Sequence, residues 1–227
     1  MEKGKSRRWR KGAIGDLARC YRVNGAHQAV EEITNGIEQQ GWAVVAGCLA
    51  KEASLRLIQE CEEACENGDF RRAGVGRGKT LEVREDIRRD QVKWLQPGDG
   101  AVEQGNYLAW LEDLRLALNQ RFFLGLFEFE GHFAIYPEGA FYKPHLDRHA
   151  GTSDRIVTVI LYLNAAWQPG DGGELKLWTT AGKKDEAFQL IEPRLGTVVC
   201  FMAADFWHEV LPAMKTRMSI TGWFRQR

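Results

Sequence analysis

Residues 131–147 read Gly-His-Phe-Ala-Ile-Tyr-Pro-Glu-Gly-Ala-Phe-Tyr-Lys-Pro-His-Leu-Asp. Two short apolar and aromatic runs, 132–136 and 141–147, flank the turn signal Pro137-Glu138-Gly139. Such a pair reads as two strands joined by a tight connection. The same texture continues to the C-terminus. Further strands are predicted at 155–163, 173–178, 188–191, 197–202, 207–211 and 216–224, with Pro169-Gly170-Asp171-Gly172-Gly173 as the longest turn signal between them. Eight short strands with turn punctuation predict a jelly roll.

Upstream of Gly131 the period changes from two to that of a helix. Helices are predicted at 28–40, 49–67 and about 105–123. In the second, Leu49, Ala53, Leu57, Cys61 and Cys65 recur at helical spacing, and Asn67-Gly68 stops the run. In the third, Tyr107, Leu111, Leu114, Leu118 and Phe122 share a face. The expected class is therefore α+β, with N-terminal supporting helices packed on one outer face of the jelly roll. A single domain is expected over 23–227, helical to about 125 and jelly roll from about 130. Residues 1–22 carry Lys3, Lys5, Arg7, Arg8, Arg10, Lys11, Arg19 and Arg22 against Glu2 and Asp16, which predicts a basic, flexible tail.

Composition narrows the function. The 227 residues hold 31 Lys+Arg against 31 Asp+Glu, so the whole chain is not a general nucleic-acid binder. No apolar run is long enough to span a membrane. The five cysteines, Cys20, Cys48, Cys61, Cys65 and Cys200, are odd in number and unevenly spread, a poor disulfide framework. With no signal-peptide pattern at the N-terminus, the expected compartment is a reducing cytoplasm.

Two motifs bear on chemistry. Ala73-Gly-Val-Gly-Arg-Gly-Lys-Thr80 loosely resembles a phosphate-binding loop. Such a loop needs a strand before it and a helix after it, and neither is predicted here. The expectation is instead a basic, glycine-rich loop at 71–80 that closes over a substrate. The second motif is His145-Leu-Asp147. In a strand, residues i and i+2 share a face, so an imidazole and a carboxylate can take adjacent positions on one metal. His208 follows 61 residues later and Arg217 nine residues after that. Two His and one carboxylate on one face of a metal suit non-haem Fe(II), with open positions for a 2-oxo acid and dioxygen. A buried Arg supplies a planar fork for the far carboxylate of that acid. His149 is expected to make loop contacts, and His27 and His132 to be structural or surface residues.

At these residues the chain resembles the 2-oxoglutarate/Fe(II) prolyl 4-hydroxylases, most of all the oxygen-sensing EGLN-like enzymes and their bacterial relatives. The resemblance covers about 85–227. It rests on Asp86–Trp94, Tyr136-Pro, Tyr142-Lys-Pro-His-Leu-Asp147, Arg155–Asn164, Gly172-Gly-Glu-Leu175, Ile191-Glu-Pro, Trp207-His-Glu-Val210 and Arg217-Met-Ser-Ile-Thr-Gly-Trp223. It implies a double-stranded β-helix core, cupin-like. It implies His145, Asp147 and His208 as both catalytic residues and Fe(II) ligands. Arg217 and Tyr162 would bind the 2-oxoglutarate C5 carboxylate, and Tyr136, Leu175, Val210 and Thr221 would line the cofactor pocket. Arg155, Trp223, Arg88, Asp90 and Trp94 would contact the substrate. The implied reaction hydroxylates proline C4 in a protein with Fe(II), 2-oxoglutarate and O2, releasing succinate and CO2, with ascorbate as a reductant. By analogy with bacterial relatives, elongation factor Tu is a candidate substrate, with no DNA or membrane partner and a monomeric enzyme.

The rivals differ at defined positions. AlkB-type repair dioxygenases carry a second Arg six residues after the first, where this chain has Trp223. Collagen-type prolyl hydroxylases generally use Lys where this chain has Arg217. Another substrate for the same oxygenase chemistry, or a cupin-like module that only holds a metal, are the remaining alternatives. Release of succinate separates an enzyme from such a module.

Overall fold

The computed structural model describes residues 24–76, 82–96, 102–148 and 154–227. Among these residues, three helices, α1 (Asn24–Gln40), α2 (Lys51–Glu66) and α3 (Val102–Phe122), accompany eleven strands. These are β1 (Trp42–Val45), β2 (Arg71–Arg72), β3 (Gln91–Trp94), β4 (Glu128–Tyr136), β5 (Tyr142–His145), β6 (Arg155–Tyr162), β7 (Leu175–Trp178), β8 (Phe188–Ile191), β9 (Val198–Met202), β10 (His208–Val210) and β11 (Arg217–Arg225). A seven-stranded sheet runs β1-β9-β6-β11-β4-β3-β2, and a four-stranded sheet runs β5-β10-β7-β8. All strand pairs are antiparallel.

The central strands of the larger sheet are buried on both faces, and strand alternation assigns their residues. On β6, Val157, Val159 and Leu161 join the core built with Ile33 of α1, Leu57 of α2 and Leu111, Leu114 and Leu118 of α3. The intervening Ile160 and Tyr162 face the smaller sheet and join Leu175, Leu177 and Val210. A strand covered on both sides reads as a near-continuous apolar run, as 156–163 does with Thr158 its one interruption. The helices do pack on one outer face. Leu114 is fully buried there, and its truncation to alanine would cost about 2–5 kcal/mol.

The helix stop at Asn67-Gly68 has a defined geometry. Gly68 takes φ +73°, and the Asp69 amide reaches back to the Ala64 carbonyl. Three strands depart from the expected purely helical N-terminal part. β1 is four residues of Trp-Ala-Val-Val lodged between two helices, too short to register a period; its register with β9 pairs Ala43 with Cys200. β2 and β3 are shorter than or as short as β1, and form only by pairing with each other and with β4.

The segment 71–80 was expected to be loop throughout, but Arg71–Arg72 form β2, and Val75 exchanges both backbone hydrogen bonds with Glu82. Residues 77–80 of it, His149, Cys20 and the basic tail lie outside the described residues. Residues 82–96 hold no helix, so the helix that a phosphate loop needs is absent from them. Cys61 is buried and Cys65 exposed on α2, without a disulfide.

Residues 87–94 pair with both sheets. The Lys143 amide donates to the Ile87 carbonyl (2.9 Å) and the Arg89 amide to the Phe141 carbonyl (3.0 Å), beside the smaller sheet. Gln91–Trp94 then continue as β3 on the edge of β4. No described helix is long and apolar enough to cross a membrane.

Candidate metal centre and its pocket

Strand register brings the two histidines together. His208 on β10 lies directly opposite His145 at the end of β5. Asp147 lies just beyond β5, in a bend rather than in the strand expected for it, and turns its buried side chain to the same point. Its Oδ1 is 3.7 Å from His145 Nε2 and its Oδ2 3.4 Å from His208 Nε2. One ligand atom from each residue lies within 4.8 Å of the others, the only such group among the described residues.

The tautomers suit a metal. His145 Nδ1 is 2.8 Å from the Lys143 carbonyl, and His208 Nδ1 is 3.1 Å from the Phe206 carbonyl. A carbonyl only accepts, so each Nδ1 carries a proton, which leaves Nε2 as the nitrogen that a metal would take. Thr158 donates to Asp147 Oδ2 at 2.8 Å. Burial, and then the neighbouring His208, pulls His145 down to about 3. For Asp147 burial acts upward, but His208, His145 and the Thr158 hydroxyl outweigh it and hold the carboxyl at about 2. The set is two imidazoles and one carboxylate, the donor set of a facial Fe(II) site.

Beside the triad, a cavity of about 60 Å³ is lined by Tyr136, Leu175, Val210, Arg217 and Thr221 together with His145, Asp147 and His208. Arg217 is buried at the start of β11 and donates from Nε to the Gly173 carbonyl (3.0 Å) and from Nη1 to Ser219 Oγ (3.1 Å). Among the described residues no carboxylate pairs with it. Its guanidinium lies 4.8 Å from the Tyr136 ring and 5.0 Å from the Tyr162 ring. The fully buried Tyr162 hydroxyl has no hydrogen-bond partner of good geometry. Burial pushes that phenol up to about 12, against the pull of Arg217. A buried cation without an anion, next to an orphaned hydroxyl donor, fits the carboxylate end of a 2-oxo diacid.

Gly173 shapes this corner. It takes φ +75°, and a Cβ there would lie 3.1 Å from Arg217 Cδ. Any larger residue would therefore press on the side chain that Gly173 also anchors through its carbonyl.

A larger cleft of about 860 Å³ opens outside the cavity. Arg88, Arg155, Trp223 and Trp94 line it; Arg88, Arg155 and Trp223 also line the inner cavity. Arg155 stacks over the Trp223 ring at 3.5 Å while its Nε donates to Glu130 at 2.7 Å. Trp94 is half exposed. Asp90 is buried beneath Arg88 and meets the cleft only through it.

Three residues of the site had no role from sequence. His132, expected to be structural or surface, is buried and lines both the cleft and the cavity, with Trp94 at 5.1 Å and Trp223 at 5.7 Å. Burial, and then Arg88, lowers it to about 4. Its signal was parity: His132 lies four residues before Tyr136, on the same strand face. Thr158 was the one polar residue in an apolar run. Tyr142, three residues before His145, stacks on that ligand.

Comparison with known proteins agrees with this geometry. Residues 131–225 match the 2OG-Fe(II) oxygenase superfamily. Human Egl nine homolog 1 is 30% identical over 209 residues, 86% of this chain and 46% of that protein. The chain thus spans about half the length, or less, of the curated relatives it matches. A Pseudomonas putida prolyl-4-hydroxylase structure superposes with a TM-score of 0.78 at 43% identity, covering 87% of this chain and 99% of that one. A prolyl hydroxylase in complex with a hypoxia-inducible factor oxygen degradation domain peptide fragment, from Trichoplax adhaerens, gives 0.76 at 25% identity, covering 88% and 90%.

Proposed function

This chain belongs to the 2OG-Fe(II) oxygenase superfamily, on its prolyl 4-hydroxylase branch, and from that premise we propose that it hydroxylates a prolyl residue at C4 in a protein substrate. The observation that carries the reading is a His-Asp-His face beside a buried Arg217 that no described carboxylate pairs, all in one cavity. Bound Fe(II) and 2-oxoglutarate supply the oxidising chemistry with O2, giving succinate and CO2.

The protein's own part is positional. His145, Asp147 and His208 would hold the metal, with Lys143 and Phe206 carbonyls and the Thr158 hydroxyl fixing their orientation. Arg217 and Tyr162 would take the distal carboxylate. Tyr136, Leu175, Val210 and Thr221 would close around the cofactor, their apolar surfaces limiting water. Arg155, Trp223, Trp94 and Arg88 would receive the peptide, with Asp90 holding Arg88. Arg155 stacked on Trp223 makes a flat wall at the cavity mouth, suited to the pyrrolidine ring. We read the enzyme as a cytoplasmic monomer using ascorbate as reductant, and elongation factor Tu is the first substrate to test.

Two assays test this. Metal-reconstituted protein should release succinate from 2-oxoglutarate, which a metal-holding module would not. Mass spectrometry of the native proteome with and without the gene should show a +16 proline that depends on it. Succinate release without any such proline would leave an oxygenase with a different substrate.

A further inference from the structure

Arg88 borders the cleft with Asp90 buried beneath it, yet their contacts run inward to the histidine read as a metal ligand. The Tyr142 ring lies flat on the His145 imidazole, with centroids 3.6 Å and planes 18° apart. The Arg88 guanidinium carbon lies 4.2 Å over the same Tyr142 ring. Two planar groups this close to one ring centroid must take its opposite faces. The order is therefore guanidinium, phenol, imidazole.

The outer end of that stack is locked. Arg88 donates from Nε and Nη2 to the two Asp90 oxygens at 2.7 and 2.5 Å, a fork with both carboxylate oxygens engaged. The Asp90 side chain is fully buried and that of Arg88 nearly so. The backbone repeats the link, since Arg88 bridges Tyr142 and its neighbours Ile87 and Arg89 bond to Lys143 and Phe141. At the inner end, the Nδ1 bond of His145 to the Lys143 carbonyl fixes its tautomer but lets the ring pivot about that bond. A flat neighbour on the ring face removes the pivot.

We propose that Asp90, Arg88 and Tyr142 form a positioning unit for His145, a stack that sets the plane of this metal ligand from the wall of the substrate cleft. The inference rests on the reading of His145 as a ligand. It gives Arg88 a role in metal binding that would exist with no substrate present.

The test needs neither substrate nor turnover. Mn(II) is titrated anaerobically into wild type, Tyr142→Phe, Tyr142→Leu, Arg88→Met and Asp90→Asn, with free Mn(II) read by electron paramagnetic resonance and the metal-free melting midpoint recorded for each. Tyr142→Leu and Arg88→Met should weaken Mn(II) binding on the order of tenfold, the low end for loss of a ligand's supporting group. Tyr142→Phe keeps the ring and should bind as wild type does. Asp90→Asn should weaken binding less than Arg88→Met. Tyr142→Leu binding as tightly as wild type would overturn the proposal, and wild-type affinity in Arg88→Met would strike Arg88 and Asp90 from the unit. Should Arg88→Met fail to fold, the Tyr142 pair still decides. Wild type that binds no Mn(II) would sink the metal site itself, a result distinct from either.

Discussion

Arg217→Ala removes the one buried cation that no described carboxylate satisfies. In the metal-loaded protein its free donors should face the C5 carboxylate of 2-oxoglutarate. Hydrogen bonds to charged partners are worth about 1.5–3 kcal/mol. At about 1.4 kcal/mol per tenfold, the substitution should weaken 2-oxoglutarate binding by roughly ten- to hundredfold. It also strips donors from the Gly173 carbonyl and Ser219 Oγ, so some loss of fold stability is expected with it. The two effects separate by measurement. Anaerobic calorimetry of 2-oxoglutarate into the Mn(II)-loaded variant reads affinity, and circular dichroism at the same temperature checks that the protein is folded. Mn(II) binding itself should change little, because all three ligands remain. Arg217→Lys should fall between, keeping the charge and losing the fork. If folded Arg217→Ala bound 2-oxoglutarate as tightly as wild type, the assignment of the cavity to this cofactor would be wrong.

Other changes probe the surroundings. His145→Ala, Asp147→Ala and His208→Ala should each abolish 2-oxoglutarate turnover, and Asp147→Glu should fail as well, because Thr158 fixes the carboxylate at its present reach; succinate assay on folded protein decides. Gly173→Ala should raise the 2-oxoglutarate Kd several-fold while sparing Mn(II), since the added methyl presses on Arg217 and strains a backbone at φ +75°. Unchanged calorimetry would refute that. The metal-free protein should lose stability as pH falls from 6.5 towards 4. His132 and His145 are held neutral when folded, at about 4 and about 3 against an ordinary 6.5, so the unfolded chain binds more protons across that window. In melts over this range His132→Met should show a shallower decline than wild type, and an equal slope would mean that His132 titrates normally.

The strands were legible wherever burial leaves a period or a continuous apolar run with turns at its ends, as at β6 and β11. β1 and β3 were not. Four residues are too few to show alternation, and β3 exists because β4 offers it an edge. The metal residues were legible because the chemistry demands fixed residue types at defined spacing. The supports of those residues were harder to see. Tyr142 stacks on His145 through a register that only the folded β5 defines, and His132 enters the site because β4 turns it inward beside Tyr136. Asp90 illustrates the opposite limit: the family resemblance implied a substrate contact, and burial under Arg88 makes it that side chain's anchor.

Residues 87–94 are sewn to one sheet by Ile87 and Arg89 and to the other by Gln91–Trp94. Swinging this wall of the cleft outward would break backbone hydrogen bonds to both sheets at once, so on this side the cleft is bounded by a segment braced like a beam held at both ends.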